Sequence, residues 1–127
     1  LQAYGKHLGI AFQLVDDALD YSAESDELGK NVGDDLAEGK PTLPLIYAME
    51  HGDAEQRALI RAAIEQGSAD NFDSIHQAIL DTGALHHTLD QAQTHAQQAK
   101  QAIGVLANSE YRQALTFLAD YAVERRY

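Results

Sequence analysis

Apolar positions recur at helical spacing through most of the chain. Between Leu8 and Tyr21, Leu8, Ala11, Phe12, Val15, Ala18 and Leu19 share one side of a helix already under way at the first residue. Leu43 to Glu50 is short and apolar. Asp53, with Gln56 three residues on, starts a capped helix; Leu59, Ile60, Ala63 and Ile64 give it a core stripe, and Gly67 stops it. Phe72, Ile75, Ile79 and Leu80 mark another that ends at Gly83. Leu85, Leu89, Ala92, Ala96, Ala99, Ile103 and Leu106 alternate steps of four and three, the seam of a long helix whose small alanines imply close approach of its neighbours. Tyr111, Leu115, Leu118, Ala119 and Ala122 predict a terminal helix before Arg125-Arg126-Tyr127. No stretch alternates as a strand and no repeat has a fixed period, so the fold class is all-α, a helical bundle.

The polar side of the first helix is narrow and acidic. At about 100° per residue, Gln13, Asp16, Asp17 and Asp20 fall within roughly a 100° arc. Carboxylates one turn apart repel each other and disfavour the helix unless something positive lies between them. Taken alone, three acids also suit the solvated face of an amphipathic helix. The flanks argue the other way, because Ile10 and Leu14 border the acids and no base lies between Gly9 and Tyr21. Oxygen ligands without Cys or His favour a hard ion such as magnesium, completed by water and substrate phosphate.

Composition narrows the choice. A length of 127 residues fits one small domain, yet the chain opens on Leu1 inside a helix, as expected of a piece of a longer protein. A net charge of −11 with nine basic residues excludes a broad basic surface for nucleic acid or anionic membrane. No run approaches the roughly 18 apolar residues that cross a bilayer, so no stable membrane insertion is expected. The absence of cysteine removes disulfides and thiolate chemistry, and a cytoplasmic location is the default.

Two lysines follow the acidic helix. Lys30 is the only cation of the segment Ser22 to Asp35, which reads as a surface loop. Lys40 precedes a helix start with Thr42 as N-cap and Pro44 in the first turn, where the helix dipole also favours anions. Each lysine is equally readable as an ordinary solvated side chain.

The run Phe12-Gln13-Leu14-Val15-Asp16-Asp17-Ala18-Leu19-Asp20-Tyr21, then Leu28-Gly29-Lys30-Asn31-Val32-Gly33-Asp34-Asp35-Leu36 and Glu38-Gly39-Lys40-Pro41-Thr42-Leu43-Pro44-Leu45, resembles the second aspartate-rich region of trans-prenyl diphosphate synthases. Within that family the likeness is to long-chain bacterial enzymes of the octaprenyl type. A DDxxD helix, two spaced Gly-Lys pairs and a Pro-Thr-Leu-Pro helix start are far more specific together than DDxxD alone. Past Met49 the resemblance rests on general pattern.

The resemblance implies the C-terminal part of an isoprenoid synthase fold, residues 1-127 forming one portion of a single domain. It implies magnesium-dependent elongation of an allylic diphosphate, such as farnesyl diphosphate, by isopentenyl diphosphate, with octaprenyl diphosphate for quinone (ubiquinone) side chains as product. Asp16, Asp17 and Asp20 would hold the ions, Lys30 and Lys40 would meet the departing diphosphate, and Gln13 would lie near the allylic diphosphate. A homodimer is also implied. The family's first aspartate-rich motif has no counterpart, since DDxxD occurs once, and the chain alone is expected to be inactive. A non-catalytic subunit of a heteromeric synthase, a related cyclising enzyme and a plain helical interaction module remain as alternatives. Arg125 and Arg126 read as either a diphosphate clamp or a solvated tail. Of the six histidines, His86, His87 and His95 lack a third ligand at metal spacing and read as surface residues, while His7 and His51 show no partner.

Overall fold

The apolar pattern at the start of the chain winds into α1, Gln2–Leu19, in the computed structural model of the protein. The structure describes residues 1–21, 39–67, 71–106 and 109–124. Among them follow α2 (Leu43–His51), α3 (Ala54–Gln66), α4 (Phe72–Thr82), α5 (Ala84–Ala102) and α6 (Glu110–Glu124), with no strand. The all-α expectation holds.

Local chemistry sets the helix ends. Asp53 Oδ1 accepts from the Gln56 amide at 2.8 Å while the Asp53 amide donates to Gln56 Oε1 at 2.9 Å, the reciprocal box read from the sequence. Gly67 closes α3 in the left-handed region, its amide donating to Ala63 O at 2.9 Å. Thr42 occupies the N-cap of α2 with extended backbone, but its side chain makes no capping bond. Pro44, at the second position of the helix, has no amide hydrogen to offer it.

The chain divides into two compact units, and α1 and α5 supply a segment to each. In the unit Asp17–Thr88, α2, α3 and α4 pack against one another around Leu45, Ala48, Ile60, Ala63, Ile75, Ala78 and Ile79. Tyr21 and Ala84 complete this cluster. Each of its large aliphatic side chains contributes about 1.5–3 kcal/mol through removal from water. Tyr47 stacks on both His51 and His87, with ring centroids 4.0 and 4.3 Å apart.

In the unit Leu1–Asp16 with Leu89–Arg126, the alanine seam of α5 meets small partners. Ala11, Ala96 and Ala122 form one buried cluster, and Tyr4, Ala99, Ile103 and Ala119 another. The Tyr4 hydroxyl donates to Leu115 O at 2.6 Å, and Lys100 Nζ lies 2.7 Å from Asp120 Oδ1.

Several expectations need correction. The first helix ends at Leu19 rather than Tyr21, and the long helix ends at Ala102, where Gly104 and Leu106 amides turn back to Gln101 and Ile103 carbonyls. Leu80 and Leu118, read as stripe positions, are exposed. His7 and His51 do have partners. His51 Nδ1 lies 3.1 Å from Tyr47 O, and His7 stacks on His95 with their Nδ1 atoms 2.9 Å apart. That contact requires one Nδ1 to donate and the other to accept, and protonating both removes the acceptor.

Burial, then the neighbouring His7 and Lys6, holds the His95 pKa below its ordinary 6.5. The unfolded chain therefore takes up this proton more readily than the folded one, so the contribution to stability is present above 6.5 and is lost as pH falls from there through the lowered folded value. The melting midpoint should fall between about pH 7.5 and pH 5.5, and His95→Gln should flatten the fall. An identical pH profile in the variant, followed by circular dichroism, would refute this role for the pair.

Candidate functional site

The acidic end of α1 is graded in burial. Gln13 and Asp16 are exposed, Asp17 is 6% exposed, and Asp20 is fully buried. Asp20 stands one residue beyond the helix, in a turn closed by the Tyr21 amide on Ala18 O at 3.1 Å. The solvated-face reading thus fails for Asp17 and Asp20. Carboxylates taken out of water are costly unless hydrogen bonds or cations meet them.

What seats them is the neighbouring residue. Tyr21 is wholly buried and stacks with Phe72 at the start of α4, centroids 6.0 Å apart and rings nearly parallel. Its cluster includes Leu45 from the first turn of α2. One core therefore fixes both the turn carrying Asp20 and the helix start that follows Lys40. Helical spacing does not reveal this role of Tyr21, whose partners Leu45 and Phe72 lie far along the chain.

Lys40 is exposed and stands between Gly39, whose φ is +70°, and α2. Its carbonyl accepts from the Thr42 amide at 3.0 Å, and Thr42 O accepts from the Ile46 amide at 3.0 Å, opening the helix. The Thr42 hydroxyl is buried without a hydrogen bond. A lysine at a helix N-terminus places a full charge beside the partial positive charge of unpaired amides, a setting suited to phosphate oxygens. Lys30, Arg125 and Arg126 lie outside the described residues.

Among the described residues, no group of three or more His, Asp or Glu side chains is placed to hold a metal ion. The donor set at the end of α1 is all oxygen, which fits a hard divalent cation that takes only a minority of its ligands from protein. Among those residues no helix is long and apolar enough to cross a membrane.

Residues 1–82 match the sequence profile of polyprenyl synthetases. The chain belongs to the polyprenyl synthetase family. Octaprenyl diphosphate synthase of Haemophilus influenzae is 56% identical over 128 residues, and that of Escherichia coli is 51% identical over 126. These alignments cover 100% and 98% of this chain but 39% of each relative, so the chain spans about two fifths of their length. A solved polyprenyl synthase from Caulobacter crescentus, complexed with calcium and isoprenyl diphosphate, superposes with a TM-score of 0.87 at 43% identity over 98% of this chain and 38% of that one. The relatives are prenyltransferases, and the polyprenyl synthetase fold accounts for the helical architecture.

Exposure separates this site from its support. Asp16→Ala should change unfolding free energy by no more than about 0.5 kcal/mol, whereas Ile60→Ala in the core should cost about 2–5 kcal/mol. Urea unfolding checks this, and equal losses would make Asp16 a folding residue.

Proposed function

We propose that this chain is the C-terminal portion of a trans-polyprenyl diphosphate synthase that elongates an allylic diphosphate, such as farnesyl diphosphate, with isopentenyl diphosphate. Octaprenyl diphosphate, a quinone side-chain precursor, is the product this reading favours, in a homodimeric enzyme. The observation that carries it is the pair of buried carboxylates, Asp17 and Asp20, seated by the same core that fixes the helix start after Lys40. Membership of the family supports it from a separate direction.

The reaction breaks the C–O bond of the allylic diphosphate, and pyrophosphate leaves with the electron pair. The double bond of isopentenyl diphosphate attacks the allylic cation, a C–C bond forms, and loss of a proton restores an allylic double bond one five-carbon unit further on. The barrier lies in separating a highly charged leaving group from a carbocation. Asp16, Asp17 and Asp20 would hold magnesium, directly or through water. Magnesium supplies, when bound, Lewis-acid stabilisation of charge on the leaving oxygen. Lys40, with Lys30, would neutralise the outer oxygens of the departing diphosphate, and Gln13 would donate to the allylic diphosphate from the exposed side of α1. The apolar bundle would keep water from the cation.

Two outcomes test the reading. In the intact synthase, labelled isopentenyl diphosphate with farnesyl diphosphate and magnesium should give long polyprenyl products, and Asp16→Ala should lower turnover at least about a hundredfold with its melting transition retained. No incorporation by a folded wild-type protein would favour a non-catalytic subunit instead. The 127-residue chain alone should show no sustained elongation, because charge stabilisation here needs ligands from both sides of the substrate. Magnesium-dependent elongation by the isolated chain would overturn that expectation.

A further inference from the structure

Gly39 is one of three glycines with positive φ among the described residues, together with Gly67 and Gly83. It differs from Gly83 in what surrounds it. A β-carbon at Gly39 would lie 2.7 Å from Ile64 O and 3.4 Å from the Gly67 α-carbon, both backbone atoms at the end of α3. At Gly83, with a φ of +75° against +70°, a β-carbon would meet nothing within 4 Å. Both positions hold a left-handed φ, and of the two only Gly39 is wedged against its neighbour.

Neither side of the wedge gives easily. The last turn of α3 is held by the Gly67 amide on Ala63 O at 2.9 Å and by buried Ile60 and Ala63. On the other side, the Lys40 carbonyl accepts from Thr42, Thr42 O starts the α2 ladder, and Pro44 and Leu45 are buried. Lys40 thus stands between two fixed points, the end of α3 and the start of α2. Any side chain at Gly39 must be accommodated by moving the Gly39-Lys40 backbone itself.

We infer that Gly39 is a positioning residue: its close approach to the Ile64 carbonyl sets where Lys40 presents its charge to a diphosphate. This rests on the assignment of Lys40 to the diphosphate in the proposed function. It extends that assignment to a backbone contact, with the C-terminal turn of α3 acting as a stop for the lysine loop. The chemistry recognised is a magnesium-bound pyrophosphate group, and misplacement of a binding group by about 1 Å can cost on the order of a hundredfold.

The test uses the intact synthase, with magnesium and inorganic pyrophosphate titrated by calorimetry and kcat/KM for elongation measured in parallel. Gly39→Ala should weaken pyrophosphate binding and lower kcat/KM by about 10- to 100-fold, while Gly83→Ala changes either by less than about threefold. Gly39→Asn, which tolerates left-handed backbone but still carries a β-carbon, should behave like the alanine variant. The double variant Gly39→Ala with Lys40→Ala should be no worse than Lys40→Ala alone, because residues acting through one group are non-additive. Multiplying losses in the double variant, wild-type binding by Gly39→Ala, or collapse of the fold in both Gly39 variants would each overturn the positioning role. If Lys40→Ala binds pyrophosphate like the wild type, the Lys40 assignment fails and this inference with it. If the wild type binds pyrophosphate but elongates nothing, prenyl transfer fails while the binding comparison still decides the role of Gly39.

Discussion

Placing carboxylates of like charge one helical turn apart, and burying two of them, is unfavourable, and the fold has to outweigh it with contacts made elsewhere. Tyr21 supplies the point of attachment. Directly after Asp20, it enters a core built from α2, α3 and α4 and stacks on Phe72, so the acidic turn is carried into the protein by an aromatic side chain. The same core holds Leu45, which fixes the start of α2 just beyond Lys40. Anionic and cationic elements of the candidate site thereby depend on one apolar cluster. In the proposed function, a hard cation and a diphosphate are the ligands these two elements would take.

The two compact units are packed by different means. In the unit built on α2, α3 and α4, large aliphatic side chains fill the interior. In the other, alanines at 11, 96, 99, 119 and 122 allow helices to approach closely, and a few polar contacts fix their register: Tyr4 on Leu115 O, Lys100 on Asp120, and His7 on His95. Short buried side chains contribute less per residue through burial, so such polar contacts carry more of the specificity.

Much of this was legible in the sequence because it is local. The box at Asp53 and Gln56, the stop at Gly67 and the α5 seam from Leu85 to Ala99 follow from periodicity and capping chemistry, and each seam position is buried or half-buried. What was not legible is long-range. The burial of Asp17 and Asp20 cannot be told from a solvated stripe without knowing where Tyr21 goes. The His7–His95 pair joins residues 88 apart, and the wedge of Gly39 on Ile64 O depends on a neighbour that no spacing rule indicates. Thr42 is the N-cap by position, but its side chain makes no capping bond. Of the site residues, Asp16, Asp17 and Asp20 came from helical spacing, Lys40 from a helix-start signal and Lys30 from its place as the one cation of the following loop; the role of Gln13 rests on the resemblance.

The most direct test of the central claim is a crystal structure of the intact synthase soaked with manganese and pyrophosphate, read by anomalous scattering. Manganese is a hard oxygen-seeking stand-in for magnesium. The account predicts an anomalous peak within coordination distance of the Asp16, Asp17 or Asp20 carboxylates, directly or through water, with pyrophosphate bridging from the ion towards Lys40. Manganese and pyrophosphate bound away from these carboxylates, with Lys40 turned from the anion, would contradict it.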